Sequence, residues 1–370
     1  MSARRPWAWP LVPLYAAVIA AKDGLRRAGV LKVRRLARPV VSVGAISAGG
    51  AGKTPVVIAL AKMLRARGWD VDVLSRGYGR IGHGVEWVAA LGDGTAERYG
   101  DEPVVIARET GVPVWVGSSR YAAGQAAEGP AVTASGTHIP FGNNKNKDGA
   151  DREATATRRA VHLLDDGFQH QQLARDFDIV LVTTEDLNDT LMPAGNLREG
   201  FGAIKRADAV VIRQDELEDV KDRAWKLMRE RAQMWVVRRI LVFPAPLFVF
   251  TAGLRPVAFC AIARPEGFQA MLIEAGCGVV ETIAFPDHYA YTMRDMEQIL
   301  DVGRRLNATG FVTTVKDNVK LTKAMCDRLE TLGPLMTVVL DAEFADADAV
   351  VSALESRLGT SETRSGANQA

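Results

Sequence analysis

Short runs of apolar residues alternate with longer stretches of helical periodicity along most of the chain after residue 38. The first run, Val40–Gly44, precedes a glycine-rich turn and an apolar-periodic segment over Thr54–Arg67, which predicts a strand, a loop and a helix. The same pattern predicts further strands at Val71–Leu74, Val112–Val116, Ala160–Leu164, Ile179–Thr183 and Ala209–Ile212. Strands that alternate with helices indicate an α/β fold with a doubly wound, mostly parallel sheet.

A second and smaller α/β unit is predicted in the last third of the chain. The stretch Met234–Phe250 is rich in Val, Ile and Phe and is interrupted by Pro244 and Pro246, which is typical of extended linker strands. The pattern beyond it predicts strands at Val257–Ile262, Val279–Ala284, Gly310–Thr314 and Thr337–Leu340, and helices at Glu266–Ala275 and Met293–Leu306. We therefore expect a first domain at residues 37–232, linker strands at 233–254 and a second α/β domain at 255–358.

Two segments break this rhythm. Within Gly124–Arg158 the large apolar side chains are limited to Val132, Ile139 and Phe141, so we predict an inserted, largely disordered surface loop at residues 124–158. The C-terminal segment Gly359–Ala370 contains no large apolar side chain, and residues 359–370 are predicted to be a loose tail.

The N-terminal segment, residues 1–36, combines an apolar run with a strongly basic charge. Residues 1–40 hold nine Arg and Lys against one acid, a charge of +8, whereas the whole chain has a formal net charge of +2. The uncharged run Pro6–Ala21 has 16 residues and three prolines, whereas a spanning helix needs about 20 apolar residues. A secretory signal and a helix that docks on the protein core are alternative interpretations. We favour an interfacial membrane helix that starts after Pro13, with Trp and Tyr at the headgroup level and basic side chains at anionic lipid.

Composition bounds the class of protein. A length of 370 residues, with 48% hydrophobic and 24% charged residues, predicts a globular chain of about two domains. The small net charge argues against a protein that coats nucleic acid, and we expect neither a nucleic-acid partner nor an obligate protein partner. The three cysteines, Cys260, Cys277 and Cys326, are too few and too scattered for a disulfide framework or a zinc cluster, which fits a reducing compartment.

The strongest chemical signal is the turn Ser47–Thr54, which follows a predicted strand and opens a predicted helix. Its glycines allow backbone N–H groups to curl around phosphates, Lys53 would reach the β- and γ-phosphate oxygens, and the Thr54 hydroxyl would be a ligand for Mg²⁺. The strict P-loop pattern has glycine where this chain has Ser47. The residues predicted to hold the nucleotide are Gly49, Gly50, Ala51, Gly52, Lys53 and Thr54.

A P-loop needs a second acidic partner for the magnesium ion at the end of a neighbouring strand. The buried run Ala160–Leu164 ends in Asp165 and Asp166, which fits that requirement, although Asp is also common where a solvated loop begins. A guanine-specific site would use Asn/Thr-Lys-x-Asp after a strand. Asn144–Lys147 lacks the Asp, and Thr314–Asp317 has the wrong spacing. We therefore predict ATP rather than GTP, together with Mg²⁺.

Four further clusters of turn-forming and charged residues follow predicted elements. They are Ser75–Arg80, Gly100–Pro103, Pro193–Glu199 and Phe285–Tyr289. Each could be an ordinary turn. Arginines beside a P-loop would suit the charge of a transferring phosphate. The Asp101 carboxylate and the His288 imidazole are the candidate proton acceptors.

Together and in this order, these pieces make the chain resemble the tetraacyldisaccharide 4′-kinases, the lipid A 4′-kinases of outer-membrane biosynthesis. The resemblance runs from the apolar N-terminus to about Leu340 and rests on Gly49–Pro55, Ser75–Arg80, Gly100–Pro103, Asp165–His170, Arg175-Asp176, Pro193–Glu199, and Phe285–His288 with Tyr291-Thr292. It implies a P-loop NTPase-like domain and a second α/β domain joined by a β-strand linker, with an N-terminal helix on the inner membrane. It also implies transfer of the ATP γ-phosphate to the 4′-hydroxyl of a lipid-linked disaccharide 1-phosphate.

The resemblance also implies roles for individual residues. Lys53 and Thr54 would hold phosphate and Mg²⁺, with Asp165 and Asp166 assisting the metal. Asp101 together with His288 would activate the hydroxyl. The residues implied to line the site are Arg76, Tyr78, His170, Arg198 and Glu199. We expect a peripheral enzyme on the cytoplasmic face of the inner membrane, whose partners are its lipid substrate and the anionic membrane surface.

Three positions depart from the family pattern. Val315 stands where a Glu is usual, and Ala261 and Ala263 stand where glycines are usual. Two other functions fit parts of the sequence. A P-loop kinase or NTPase with a soluble substrate is one, against which the membrane-like N-terminus argues. A nucleotide-switched binding module, such as a GTPase-like metallochaperone, is the other, and it is disfavoured by the missing guanine motif and the lack of a His/Cys-rich tract.

Overall fold

The computed structural model describes residues 5–89, 92, 94–129, 131–132, 138–139, 159–243 and 254–366. Two α/β units in it share one continuous sheet. The helices are Val12–Arg27 (α1), Lys53–Ala66 (α2), Thr95–Tyr99 (α3), Asp101–Thr110 (α4), Arg120–Glu128 (α5), Leu217–Leu227 (α6), Pro265–Glu274 (α7), Met293–Arg305 (α8), Val315–Asn318 (α9), Lys323–Glu330 (α10) and Ala347–Gly366 (α11). Short 3-10 helices cover Pro6–Leu11, Thr184–Leu187, Phe201–Arg206 and Gln214–Glu216.

Twelve strands of the described ranges form the mixed sheet, and two short strands form a separate hairpin. The strands are Val40–Ala45 (β1), Asp70–Ser75 (β2), Glu86–Trp87 (β3), Val114–Val116 (β4), Ala131–Val132 (β5), His138–Ile139 (β6), Ala160–Asp165 (β7), Phe177–Val182 (β8), Ala209–Arg213 (β9), Gln233–Val242 (β10), Pro256–Cys260 (β11), Glu281–Ala284 (β12), Gly310–Thr314 (β13) and Leu335–Phe344 (β14). The order in the sheet is β12-β11-β13-β14-β10-β9-β8-β1-β7-β2-β4-β3, while β5 pairs with β6.

These elements confirm the predicted α/β class and the parallel, doubly wound sheet of the first unit. Strands β4, β2, β7, β1, β8 and β9 are mutually parallel. The edge strand β3 of the first unit pairs antiparallel with β4. Strand β1 is buried along its whole length, and apolar cores lie on both sides of the sheet. A central parallel strand covered on both faces reads as a continuous apolar run, which is why the sequence pattern identifies it.

The two units meet along the long strands β10 and β14. Strand β10 runs parallel to β9 as far as Val237, and β14 runs parallel to β13 as far as Val338. Between those positions, the two strands pair antiparallel with each other, from Val237 opposite Phe344 to Val242 opposite Val339. The first part of the predicted linker at 233–254 is therefore the single strand β10, which ends at Val242. Strand β14 is a second connection between the two units. Residues 244–253 of that linker lie outside the described residues.

The apolar N-terminal run folds as a 3-10 helix followed by α1, which begins at Val12 and contains Pro13 in its first turn. Proline is tolerated there because the first turn of a helix has no intrahelical acceptor for its N–H groups. Within the described part of the chain, no helix is both long and apolar enough to cross a membrane.

The C-terminal boundary differs from the prediction, which assigned residues 255–358 to the second domain and 359–370 to a loose tail. Strand β14 returns the chain to the first unit, where Val350, Leu354 and Leu358 of α11 are buried in its core. The helix then continues to Gly366, because residues 359–366 contain no proline and Ser, Glu and Arg are tolerated in helices. The lack of large apolar side chains therefore does not end the helix. Residues 367–370 lie outside the described residues.

The inserted loop predicted at residues 124–158 begins too early. Helix α5 extends to Glu128, and Ala123, Gly124 and Ala127 are buried in it. A Cβ atom at Gly124 would overlap the end of the Leu36 side chain, so glycine allows the helix and the N-terminal segment to pack closely. Such small residues give little hydrophobic signal, which is why the pattern does not reveal the helix. Residues 130, 133–137 and 140–158 of the predicted loop lie outside the described residues.

Truncation of Leu354 should destabilise the first unit, because this side chain is fully buried in its core. We expect Leu354→Ala to lower the free energy of unfolding by about 2–5 kcal/mol, the usual cost of shortening a buried leucine. Urea denaturation followed by circular dichroism measures the change, with Ser352→Ala, at an exposed position of the same helix, as the control. A loss no larger than that of the control would show that α11 does not contribute to the core.

Candidate active site

The turn between β1 and α2 has the backbone of a phosphate-binding loop. Gly49, Gly50 and Gly52 have φ angles of 77°, 68° and 85°, in the left-handed region that favours glycine. Successive backbone N–H groups in such a turn, together with the N-terminus of the 14-residue α2, form a concave site for anions. Ser47 is not among the residues with positive φ and pairs as a β-bridge with Leu197, so serine fits where the strict pattern has glycine.

Lys53, the first residue of α2, pairs with an acidic residue at the end of β7. Its Nζ lies 3.4 Å from Oδ1 of Asp166, and Nη1 of Arg198 donates to both oxygens of the same carboxylate, at 2.8 and 2.7 Å. Burial alone would raise the pKa of Asp166, but Lys53 and Arg198 outweigh it and hold this pKa below its usual value. Asp166 is therefore an ionised anchor for two cations.

The neighbouring Asp165 has a different environment. It is almost completely buried, and its Oδ2 accepts a hydrogen bond of 2.9 Å from the Ser75 hydroxyl. Its Oδ1 is buried and has no hydrogen-bond partner among the described residues. Burial, Glu102 and Asp166 together raise the pKa of Asp165 well above its usual value. A carboxylate oxygen that is buried and unsatisfied would gain from a cation beside it.

Asp101 and His288, which are 187 positions apart in the chain, meet at the boundary between the two units. Nδ1 of His288 lies 2.9 Å from Oδ2 and 3.1 Å from Oδ1 of Asp101. Asp101 is the first residue of α4, and His288 follows β12 with a φ angle of 60°. The hydrogen bond to Asp101 is the main cause that raises the pKa of His288, against the opposing effects of burial and Lys316. For Asp101, burial raises the pKa, but His288 and Lys316 outweigh it and the pKa is lowered.

One large cavity, of about 730 Å³, brings most of the predicted residues together. Its walls include Lys53, Asp165, Asp166 and His288, the residue that contacts Asp101. Helix α1 closes one side of the cavity. The other predicted lining residues are all present: Arg76, Tyr78, His170, Arg198 and Glu199. From α1 it is lined by Tyr15, Ile19, Lys22, Asp23 and Arg26.

The predicted lining residues differ in their environments. Arg76 and Tyr78 are exposed, and the Tyr78 ring lies 5.4 Å from the His288 ring, centroid to centroid. Burial, with help from Arg120 and Arg175, lowers the pKa of His170 to about 4, so this imidazole is neutral near pH 7. Glu199 is buried and forms a two-point ion pair with Arg206, at 2.6 and 3.0 Å.

A second, smaller cavity of about 180 Å³ lies on the other side of the P-loop, between the two units. Gly49 to Pro55 form its floor, and Arg239, Arg264 and Phe268 contribute to its walls. Arg264 also forms an ion pair with Glu185, at 3.0 Å, which links the second unit to the first. His288 and Lys316 line this cavity too, so it adjoins the Asp101–His288 pair.

Sequence reasoning missed four charged residues of the site. Glu102 and Asp287 stand beside predicted residues within motifs that the sequence analysis singled out. Lys316 lies in the segment that was considered for guanine recognition and for the departure at Val315, and it was given no role of its own. Arg120 lines the large cavity from the start of α5, and no pattern in the sequence distinguishes it from a surface arginine.

Comparison with known proteins assigns the family. The family model described as tetraacyldisaccharide-1-P 4′-kinase matches residues 4–359. The chain belongs to this family. The match covers the P-loop, both units and the strands that join them, so the chain is an enzyme of the kinase class and the resemblance stated from the motifs is confirmed.

Individual relatives agree with this assignment. A tetraacyldisaccharide 4′-kinase of Koribacter versatilis is 37% identical over 361 residues, which is 95% of this chain and 99% of that protein. One of Geobacter metallireducens is 34% identical over 92% of this chain and 94% of that protein. A crystal structure of LpxK from Aquifex aeolicus in complex with ATP has a TM-score of 0.69 at 27% identity, and covers 95% of this chain and 99% of that one.

If Asp101 and His288 accept the proton as one unit, their mutations should not be independent. We expect Asp101→Ala and His288→Ala each to lower kcat by about 10²–10⁴-fold, and the double mutant to lose little more than the worse single mutant. The measurement is kcat at saturating substrates for all three variants. Losses that multiply in the double mutant would show that the two residues act independently. A lower melting temperature with kcat unchanged would show that Asp101 only begins a helix and that His288 only packs in a turn.

Proposed function

We propose that this chain transfers the γ-phosphate of ATP to the 4′-hydroxyl of a tetraacyl-disaccharide 1-phosphate. The observation that carries the proposal is the shared cavity, which is lined by the P-loop lysine, by His288 of the Asp101–His288 pair and by the N-terminal helix. A volume of about 730 Å³ is in the range of sites that hold sizeable ligands. Phosphate donor, proton acceptor and lipid entrance are thus adjacent in one space.

We assign the triphosphate of ATP to the P-loop and the rest of the nucleotide to the smaller cavity. Backbone N–H groups of Gly49–Gly52 would hold the phosphates, and Lys53 would neutralise charge on the β- and γ-phosphate oxygens. In this arrangement the γ-phosphate lies toward the large cavity, because Lys53 lines both cavities. The comparison with LpxK, whose crystal structure contains ATP, supports ATP as the donor.

The residues around Asp165 fit a bound Mg²⁺. The described residues contain no group of three or more His, Cys, Asp and Glu side chains arranged to hold a metal ion. Magnesium, however, usually takes one or two protein oxygens and completes its shell with phosphates and water. We assign the unsatisfied Oδ1 of Asp165 and the Thr54 hydroxyl as ligands, while Asp166 orients Lys53 and Arg198. When bound, Mg²⁺ would supply positive charge to the phosphate oxygens.

Asp101 and His288 would accept the proton of the 4′-hydroxyl. A sugar hydroxyl is a weak nucleophile and gains from a base at its proton. Their meeting point lies where α4 of the first unit faces the second unit, so the base is complete only when the units are together. Water-excluding closure of this kind would also limit wasteful transfer to water.

The two faces of α1 fit a peripheral position on a membrane. Tyr15, Ile19 and Arg26 face the cavity, whereas Leu14 and Val18 are 65% and 59% exposed. In the preceding 3-10 helix, Trp7 is 76% exposed. An apolar face of this kind, next to a basic segment, suits insertion into the headgroup region of an anionic bilayer. We assign this surface to the cytoplasmic face of the inner membrane, where ATP and the lipid acceptor would both reach the cavity.

The proposed reaction is tested by incubating the full chain with ATP, Mg²⁺ and a tetraacyl-disaccharide 1-phosphate. Mass spectrometry should detect a lipid heavier by one phosphate. Lys53→Ala should lower kcat by about 10²–10³-fold with an unchanged melting temperature, because it removes a positioned charge from the phosphates. Lys226→Ala, at an exposed position of α6, is the control. A parent enzyme that phosphorylates no lipid would refute the acceptor, and near-normal turnover in the Lys53 variant would refute the role of the P-loop.

The membrane surface is tested by cosedimentation with vesicles of anionic phospholipid. Replacing Trp7, Leu14 and Val18 by Ser should release most of the protein and raise KM for the lipid acceptor, because the inserted apolar face is lost. Salt should weaken binding of the parent, since its electrostatic part is screened within about 10 Å at 0.1 M ionic strength. Trp225→Ser removes another exposed tryptophan, 68% exposed on α6, and should leave binding intact. Parent-like sedimentation of the triple variant would contradict the assignment.

A further inference from the structure

Lys316 lies at the point where the two units contact the proton-accepting pair. It belongs to the short helix α9, which follows β13 in the second unit, and only 20% of its side chain is exposed. Its Nζ lies 3.1 Å from Oδ1 of Asp287 and 3.4 Å from Nε2 of His288. It also lies 3.8 Å from Oε1 of Glu102 and 3.9 Å from Oδ2 of Asp101, both on α4 of the first unit.

These contacts determine the protonation pattern of the imidazole. The carboxylate of Asp101 accepts a hydrogen bond, so Nδ1 of His288 carries the proton that it donates. The ammonium of Lys316 lies 3.4 Å from Nε2, so in neutral His288 the lone pair is at Nε2 beside this cation, and the charge of Lys316 opposes a second proton on the ring. Asp101 and Lys316 thus contact opposite nitrogens of the ring, and Nε2 is the atom at which the pair would take up a proton.

We propose that Lys316 is a positioning residue of the transfer reaction, which orients His288 against Asp101 and ties α4 to the second unit above the P-loop. This inference rests on the proposed function. Asp287 holds the ammonium in place from the residue next to His288, at 3.1 Å. Lys316 acts through His288 and Asp101, whereas Lys53 acts on the phosphates.

Lys316 stays charged in this position. Burial alone would lower its pKa, but Glu102, Asp101 and Asp287 outweigh burial and raise it. The charged groups that face His288 are Asp101 and Asp287, which favour its protonation, and Lys316, which opposes it. The Tyr78 ring packs on the remaining side. The charge of Lys316 thus limits how far Asp101 and Asp287 raise the pKa of His288.

Removal of the Lys316 charge should change the proton affinity of the Asp101–His288 pair in one direction. Without Lys316, the Asp101–His288 pair would bind a proton at higher pH, because its carboxylates would act unopposed. A pair that already holds a proton cannot accept one from the substrate. The acidic limb of the kcat profile should therefore move to higher pH, by roughly one unit, which is the shift that one nearby charge commonly produces.

The test is the pH dependence of kcat for the full-length parent, Lys316→Met, Lys316→Gln and Lys316→Arg. We expect both neutral variants to shift the acidic limb to higher pH, and the arginine variant to retain the parental limb because the charge is kept. Lys323→Met, which removes a lysine that is exposed on α10 and pairs with Asp327, should change nothing. A merely structural role would lower the melting temperature and leave the limb where it is, and that result would overturn the proposal.

A second measurement does not depend on the reaction. NMR titration of His288 in the full chain without substrates should give a higher pKa in Lys316→Gln than in the parent. An unchanged or lower pKa would overturn the inference about Lys316. A parent enzyme that fails to phosphorylate the disaccharide would overturn the proposed function, while the titration would still decide whether Lys316 controls the pair.

Discussion

The antiparallel pairing of β10 with β14 is the constraint on which the site depends. Apart from the edge strand β3, the strands of the first unit run parallel to β10, and those of the second run parallel to β14, so the two half-sheets point in opposite directions. The pairing of β10 with the first half-sheet ends at Val237, and the pairing of β14 with the second ends at Val338. Between these positions β10 and β14 pair only with each other, as a two-stranded ribbon. With about 3.3 Å per residue, six residues of ribbon separate the two edges by roughly 20 Å. The carboxyl ends of both half-sheets therefore face one another across a crevice.

This geometry explains why chemistry from distant parts of the chain converges. Ligands of open α/β sheets bind beyond the carboxyl ends of the strands, where loops and helix N-termini point. The first edge supplies the P-loop after β1 and the aspartates after β7, while the second supplies His288 after β12 and Lys316 after β13. Helix α4 contributes Asp101 at its N-terminus, where a carboxylate is favoured by the helix dipole. The Asp101–His288 contact thus exists only because the paired strands β10 and β14 hold the two edges opposite each other.

The sequence predicts the local elements well and the long-range geometry poorly. Buried strands such as β1 and β7 are continuous apolar runs, and the P-loop has a strict local spacing, so both are visible in the pattern. The reversal at β10 and β14 depends on register between strands that are about 100 residues apart, which apolar periodicity does not encode. Asp101 and His288 were paired from the family resemblance, whereas Lys316 needed coordinates, since a lysine after a strand gives no signal of its partners. Helix α5 was missed because alanine and glycine form its buried face.

The adjacent carboxylates Asp165 and Asp166 show how position alone divides one sequence motif into two roles. Asp165 is the last residue of β7 and Asp166 follows it, yet the pKa of Asp165 is raised and the pKa of Asp166 is lowered. Asp166 turns toward Lys53 and Arg198 with a left-handed φ of 51°, so its charge is neutralised by protein cations. Asp165 remains at the end of the buried strand, where Lys53 does not offset the burial, Glu102 and Asp166 that raise its pKa. In the proposed function, the unsatisfied Oδ1 of Asp165 would contact a cation that arrives with the nucleotide, so the metal and the phosphate donor would bind together.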